Sequence, residues 1–439
     1  MKVVVVGGGY VGSVTGAAFA TWGHETVIID VDPDKVRRMN AGQSSLFEPG
    51  LDEALQLAVQ RELLSASESY EAVASCDAVF IAVGTPSGED GEADLSGVKA
   101  AARSIALHVN PRSFTVVVNK STVPAGTADL VGALIEEASG LSRGVHFAVV
   151  SNPEFLREGY ALEDVHAPDR IVIGTNDERA RRLMRELYRP LLAGGKPSTP
   201  YFETDAKSAE LIKYVSNAFL AVKISYINEV ARLCEKLGAN VLDVAKGMGL
   251  DSRIGSKFLQ VSSGWSGSCF PKDTAELLAT SRKSGRELSI VNAAVEANRG
   301  MHEYCIEKLR RKLKTLNGKT IGVLGLTFKP NTDDARQTQA STIIARLVAM
   351  GASVSAHDPK GMQMFRRLNG ALPIRYCETA EETAMRADAI LLLTHWEAYG
   401  SLNWLAMANA MNNRYVLDTR NFLDRESLRQ CGFDYEGLG

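Results

Sequence analysis

The sequence predicts an α/β protein: two doubly wound parallel-sheet domains joined by a central helical domain with a long spine helix. Three observations carry this. A continuous apolar strand at residues 2–6 runs into Gly7-Gly8-Gly9-Tyr10-Val11-Gly12 and then a helix. From Asp205 to Leu237 there is no Pro or Gly, and apolar residues recur at helical spacing. Near Gly318 the alternation of strand, polar loop and helix begins again. A chain of 439 residues is too long for one ordinary domain. The expected divisions are 1–200, 201–300 and 315–439.

Composition narrows the class. Hydrophobic residues make up 45% of the chain, enough for sizeable cores. The formal net charge of −3 gives no electrostatic case for nucleic acid or an anionic membrane as partner. No apolar run approaches the length of a membrane span. The opening residues read as a first strand, not a signal peptide, because the glycines interrupt them too soon. Cys76, Cys234, Cys269, Cys305, Cys377 and Cys431 are scattered, with no paired spacing for zinc or a disulfide framework. That pattern predicts a reducing, cytoplasmic setting and no metal.

Gly7, Gly9 and Gly12 match G-x-G-x-x-G. A helix follows over about 11–22, then a strand over 26–29 ending at Asp30. Strand, glycines, helix, strand and acid in this order form the dinucleotide-binding βαβ unit of a Rossmann-like domain. The glycines admit a pyrophosphate close to the helix N-terminus. Asp30 is placed to accept hydrogen bonds from a ribose diol and to repel a 2′-phosphate, so NAD is expected rather than NADP. Lys35 falls near the adenosine end.

Further strands are expected at 78–83, 115–119 and 147–150, each running into a polar loop. Ligands of doubly wound sheets bind at the carboxyl ends of strands. Thr85, Thr122, Glu154 and Glu158 therefore gather beside the nicotinamide. An ordinary helix cap before Pro124 explains Thr122 equally well, and a solvated helix start explains the two glutamates.

On the expected spine helix, Leu211, Val215, Phe219, Val222 and Tyr226 mark an apolar face, and Lys213 and Asn217 share a face. Residues 247–254 read as a loop, with Arg253 and Lys257 as anion contacts. In the last third, strands are expected at 320–324, 353–356, 389–393 and 415–417. This part lacks the glycine spacing, so a second dinucleotide is not expected. Lys329, Arg336 and Arg420 fall in loops after strands; surface ion pairs are the competing explanation.

One stretch carries the chemistry: Gly264-Trp265-Ser266-Gly267-Ser268-Cys269-Phe270-Pro271-Lys272-Asp273. Pro271 suits the first turn of a helix, so Cys269 sits just before a helix N-terminus with Lys272 three positions on. Both place positive potential near the sulfur. Asp273 is in reach of a proton or a water. A buried structural Cys in a glycine turn is the alternative.

These residues resemble the nucleotide-sugar 6-dehydrogenases along essentially the whole chain. The resemblance is carried by the glycine turn, Phe47-Glu48-Pro49-Gly50-Leu51, Val83-Gly84-Thr85-Pro86, Ser121-Thr122-Val123-Pro124 with Gly126, and Asn152-Pro153-Glu154-Phe155-Leu156-Arg157-Glu158-Gly159. Pro168-Asp169-Arg170-Ile171-Val172-Ile173-Gly174, Gly267-Ser268-Cys269-Phe270-Pro271-Lys272-Asp273 and Lys329 complete it. It implies an N-terminal NAD domain, a central helical domain that makes a homodimer, and a C-terminal domain for a UDP-sugar. The implied reaction oxidises a sugar C6 alcohol to a carboxylate with two NAD in sequence. UDP-glucose is the leading substrate, on the route to UDP-glucuronate and polysaccharide. GDP-mannose or another nucleotide hexose is the alternative, and an inactive sugar-nucleotide-binding protein the alternative from another class.

The resemblance also implies roles. Cys269 is the nucleophile, with Lys213, Asn217, Asp273, Glu154 and Thr122 around the chemistry. Gly7, Gly9, Tyr10, Val11, Gly12, Asp30, Lys35, Thr85, Thr122, Glu158, Lys272 and Arg336 match NAD-contacting positions. Glu154, Phe155, Leu156, Arg157, Glu158, Lys213, Asn217, Arg253, Phe258, Leu259, Gln260, Val261, Ser262, Gly267, Lys329 and Arg420 match sugar-nucleotide contacts. Phe270 favours the UDP-sugar branch. Two departures stand out. The family usually has Gly-Gly before Ser-Cys, where this chain has Ser266-Gly267. It usually has Glu-Ser after the Arg, where this chain has Gln337-Thr338. If the first of the paired positions needs a positive φ, Ser266 adds strain of about 1 kcal/mol or more.

Overall fold

The computed structural model describes residues 1–193 and 199–439; the end of the expected first division, 194–198, lies outside them. The chain forms two compact units, 1–216 with 275–280, and 217–274 with 281–439.

The first unit holds an eight-stranded sheet: β1 (Lys2–Val6), β2 (Glu25–Ile29), β3 (Leu64–Ser67), β4 (Ala78–Ile81), β5 (Thr115–Asn119), β6 (Phe147–Ser151), β7 (Ile171–Gly174) and β8 (Tyr201–Thr204). Their order is β3-β2-β1-β4-β5-β6-β7-β8. All neighbours are parallel except β6 and β7. Helices on both faces bury the strands, which is why β1 reads as an unbroken valine run rather than an alternation. Val3 and Val5 belong to one core, with Phe19 and Phe80. Val4 and Val6 belong to the other, with Ile105 and Val117.

The order reverses between β1 and β4, the crevice where doubly wound sheets bind ligands. Residues 82 and 83, expected in strand β4, already belong to the loop there. Gly7, at φ +107, turns the chain away from β1, and a Cβ on it would lie 2.7 Å from the Ala82 carbonyl oxygen. A Cβ on Gly12 would lie 1.7 Å from the Gly7 carbonyl oxygen, so only glycine lets the helix Tyr10–Thr21 start so close to the strand.

The second unit holds β9 (Thr320–Leu324), β10 (Ser353–His357), β11 (Ile374–Tyr376), β12 (Ala389–Leu392), β13 (Tyr415–Asp418) and β14 (Asp434–Glu436), all parallel, in the order β11-β10-β9-β12-β13-β14. Asp358 ends β10 as Asp30 ends β2. Its Oδ2 accepts the Leu326 and Thr327 N–H groups at 2.7 and 3.0 Å, and its Oδ1 the Lys360 and Gly361 N–H groups at 2.9 and 2.7 Å. The second sheet thus uses its acid to tie its own loops. Ile227 and Ala231 of the spine helix and Met301, Ile306 and Leu309 of the helix Ser289–Leu313 share one core with Ile321, Val323 and Ile343.

The spine helix is Ala206–Leu237. The expected loop over 247–254 begins inside a helix, Val241–Gly249, capped by Asn240. Gly247 and Gly249 disfavour a helix in that stretch, but the Asn240 cap and the buried Val241 outweigh them.

Candidate active site

In the first unit the loops after β1, β2, β4, β5 and β6 supply the site. Asp30 turns back to the glycine loop. Its Oδ2 accepts the Gly8 N–H at 2.6 Å, its Oδ1 the Asp32 N–H at 2.9 Å, and Lys35 Nζ lies 3.5 Å away. Nothing lies within 4 Å of a Cβ built on Gly9, so the loop is open where a pyrophosphate approaches the helix N-terminus. This cradle fits the dinucleotide, and the Asp30 carboxylate fits an unphosphorylated ribose. Thr85 Oγ1 donates to the Thr122 carbonyl at 2.9 Å, so two expected contacts brace each other.

Glu48 joins the glycine helix to the 152–159 loop. It accepts the Gly159 and Ala161 N–H groups, each at 2.6 Å, and the Tyr10 hydroxyl. Glu154 is buried, its Oε2 accepting the Leu156 N–H at 2.6 Å and its Oε1 lying 3.0 Å from Lys213 Nζ. Burial alone raises the Glu154 carboxyl, but Lys213, the Leu156 N–H and Lys120 outweigh it, and the net shift is downward. The solvated helix start considered for Glu154 does not survive this burial. The Phe155 ring lies under the Arg170 guanidinium, 3.8 Å from its centroid, with Lys213 at 5.5 Å. Arg157 makes a forked pair with Asp164 instead of standing ready for a ligand.

Sequence reasoning passed over three buried groups here. Lys120 Nζ donates to Asn152 Oδ1 at 3.3 Å, and burial drives its pKa down to about 8. Asn152 Oδ1 also accepts the Tyr188 hydroxyl at 2.6 Å. Glu210, one turn before Lys213, accepts the Gly126 and Ala128 N–H groups at 2.6 and 2.8 Å and holds the start of the helix Thr127–Ser139. Lys120 adjoins the Ser121-Thr122 motif and Asn152 opens the Glu154 motif, a signal that was available.

In the second unit, Cys269 is exposed and directly precedes the helix Phe270–Lys283; all six cysteines are thiols. Its exposure rules against the alternative of a buried structural Cys. Asp273 is 1% exposed, and its carboxylate is held at both oxygens, by Asn217 Nδ2 and Lys272 Nζ, each at 2.6 Å. Lys272 is thus paired with Asp273 as well as near the sulfur in sequence. Ser266 is not among the residues with positive φ; Gly264 and Gly267 are, at +118 and +86. The strain considered for Ser266 is therefore absent.

The remaining expected ligand contacts divide. Leu259 and Val261 pack in the core, which leaves only their backbone for a ligand; Ser262 is buried, its N–H on Asn228 Oδ1 at 2.9 Å. Gln260 is exposed, and Phe258 adopts φ 65. Arg253 is exposed and forks onto Asp251. Arg336 forks onto Asp334 at 2.9 and 2.8 Å. Arg420 Nε donates to the Leu393 carbonyl at 2.6 Å, and burial lowers its pKa to about 10. Among the described residues no cluster of His, Cys, Asp and Glu is placed to hold a metal, and no helix is long and apolar enough to cross a membrane.

A glycine-turn dinucleotide cradle, a second doubly wound sheet and a Cys–Asp helix start define an NAD-binding dehydrogenase with a separate nucleotide domain. The chain belongs to the UDP-glucose/GDP-mannose dehydrogenase family, whose NAD binding domain matches residues 1–192, central domain 207–300 and UDP binding domain 322–425. It is 45% identical to a UDP-glucose 6-dehydrogenase of Rhizobium meliloti, covering 100% of this chain and 99% of that one. It is 42% identical to one of Bacillus subtilis, covering 100% and 98%. A UDP-glucose dehydrogenase structure from Pyrobaculum islandicum superposes with a TM-score of 0.90 at 40% identity, covering 100% of this chain and 97% of that one.

Proposed function

We propose that this protein oxidises the C6 alcohol of UDP-glucose to the carboxylate of UDP-glucuronate, using two NAD in sequence. The observation that carries the covalent part is the exposed Cys269 one turn before the buried Asp273, itself fixed by Asn217 and Lys272. Bound NAD supplies the hydride acceptor. Gly7, Gly9, Gly12 and Asp30 hold it, with Tyr10, Val11, Lys35, Thr85, Thr122, Glu158, Lys272 and Arg336 as further contacts.

In the first oxidation the C6 alcohol loses a hydride and a proton to become an aldehyde. Cys269 sulfur then adds to that carbon, giving a thiohemiacetal whose oxyanion Lys213 and Asn217 stabilise. Loss of a second hydride and a proton leaves a thioester. Water, oriented by Asp273 and Glu154, attacks it; the C–S bond breaks and the thiol is restored. Two hydrides leave one sugar, and one water enters. Lys329, Arg420 and Arg253, the 155–158 segment and the 258–262 backbone are the proposed sugar-nucleotide contacts.

The named relatives and Phe270 favour UDP-glucose over GDP-mannose. The retained Cys269, Asp273 and Lys213 argue against a silent binding protein. NADH production with a panel of UDP- and GDP-sugars tests the assignment. UDP-glucose is expected to give the highest kcat/KM; a GDP-sugar or another UDP-hexose leading the panel overturns it.

The protein is further proposed to act as a cytoplasmic homodimer. Phe219, Tyr226, Leu233 and Leu237 share one face of the spine helix and are 64%, 53%, 57% and 72% exposed in the single chain. A second copy laid on that stripe removes it from water.

A further inference from the structure

The Cys269 loop is pinned on two sides, and one of the pins has no part in the chemistry described above. On the side of the central helices, Trp265 donates its N–H to Asn298 Oδ1 at 2.7 Å and accepts from Asn298 Nδ2 at 2.9 Å, while its indole N–H donates to Ser225 Oγ at 2.9 Å. On the side of the C-terminal sheet, Ser266 Oγ donates to Gln339 Oε1 at 2.7 Å. Gln339 Nε2 donates to the Gly264 carbonyl, and the Gly267 N–H donates to the Gln337 carbonyl at 3.2 Å.

Gln339 is 3% exposed and spends both ends of its amide on this loop. It is not needed to cap its own helix, Gln339–Ala349, because Thr338 does that. The amide can satisfy both partners in one orientation only, since a flip would set its oxygen against the Gly264 carbonyl oxygen, two acceptors with no proton between them. Both departures from the usual family residues, at Ser266 and at Gln337-Thr338, therefore meet at one place.

The loop needs such pins. Gly264 and Gly267 sit at φ +118 and +86, and glycines lose the most freedom on ordering. Cys269 is exposed, so burial does not fix its side chain. The loop also touches the proposed nucleotide contacts. A Cβ on Gly267 would lie 2.7 Å from the Phe328 ring, and the Phe328 carbonyl accepts from Arg420 Nη2 at 3.4 Å.

We propose that Ser266 and Gln339 are positioning residues for Cys269, holding its loop so that the sulfur meets the C6 aldehyde before the aldehyde departs. This rests on Cys269 being the nucleophile. The first hydride transfer does not use the sulfur, so a loosened loop leaves that step intact and slows the capture that follows it. Binding contacts remote from C6 then serve the later steps, as catalysis by differential binding requires.

The test is steady-state kinetics of Ser266→Ala, Gln339→Ala and the double variant, with NADH counted per sugar consumed and aldehyde trapped by hydroxylamine. Each single variant is expected to lose about fivefold in kcat, the rate equivalent of one neutral hydrogen bond. KM for UDP-glucose is expected to stay within about twofold, NADH per sugar to fall below two, and trapped aldehyde to appear. The double variant is expected to be no worse than either single one, because the pair acts as a unit. Ser266→Thr, which keeps the hydroxyl, is expected to restore the wild-type count. Ser266→Gly, which keeps the backbone free to adopt the same turn, serves if Ser266→Ala does not fold. Wild-type kcat with two NADH per sugar in the variants, losses confined to KM, or losses that multiply in the double variant overturn the proposal while leaving the nucleophile reading intact. A wild-type enzyme that itself yields one NADH and free aldehyde overturns the nucleophile reading and this proposal with it.

Discussion

Lys213 Nζ lies 3.0 Å from Glu154 Oε1, with side chains 5% and 8% exposed. Removing one partner of a buried ion pair strands the other in low dielectric, at a cost of about 3–5 kcal/mol. Glu154→Gln is therefore expected to lower the unfolding free energy by about that amount at pH 7. Glu154 is held below its ordinary value, so its contribution is present above the unfolded pKa and is lost as pH falls through the folded one. Urea titrations of both proteins from pH 7 down to pH 3 check this. The gap between them should close toward acid; a gap that is absent at pH 7, or that widens in acid, contradicts it.

Lys120 has a linkage of the same sign from a different cause, burial of the ammonium rather than pairing of a carboxylate. Burial takes it from an ordinary 10.5 down to about 8. Between those values the unfolded chain binds a proton that the folded one does not, so stability rises with pH across that window. Lys120→Met is expected to remove that rise. Relative to wild type, the variant should be more stable at pH 8 than at pH 10.5. Parallel curves for the two proteins across this range would show that the amine is not desolvated.

How much of this was legible beforehand depended on the range of the interaction. The glycine turn and Asp30 declared themselves because strand, turn, helix and acid are consecutive or nearly so. Cys269 declared its place because Pro271 marks a helix start. Lys120 and Glu210 did not, since their roles depend on partners such as Asn152 and Gly126, brought near only when the strands and the spine helix assemble. Leu259 and Val261 matched ligand positions by motif, but side-chain burial, which motifs do not report, turned them into the core. The helix Val241–Gly249 carries two glycines that disfavour it, and the cap at Asn240 and the burial of Val241 decide it.

Asp30 is expected to set cofactor choice. Replacing it by Asn removes the charge that repels a 2′-phosphate and keeps an acceptor for the Gly8 N–H. The ratio of kcat/KM for NADP to that for NAD should rise on the order of tenfold. An unchanged ratio would place cofactor discrimination elsewhere.

The exposed stripe of the spine helix predicts a subunit interface. Phe219→Glu with Tyr226→Glu places two charges on it, and sedimentation is expected to show monomers where wild type sediments as dimers. Wild-type monomers, or variant dimers of undiminished stability, refute the interface.

The central claim is that Cys269 captures the aldehyde and carries it to the acid. It is tested most directly by mass spectrometry of intact Cys269→Ser after incubation with UDP-glucose and NAD. Serine attacks but leaves poorly, so the account predicts a folded protein that binds the sugar nucleotide, loses turnover to the acid and gains the mass of one ester-linked sugar nucleotide. Turnover to the acid at the wild-type rate, with no added mass, would contradict it.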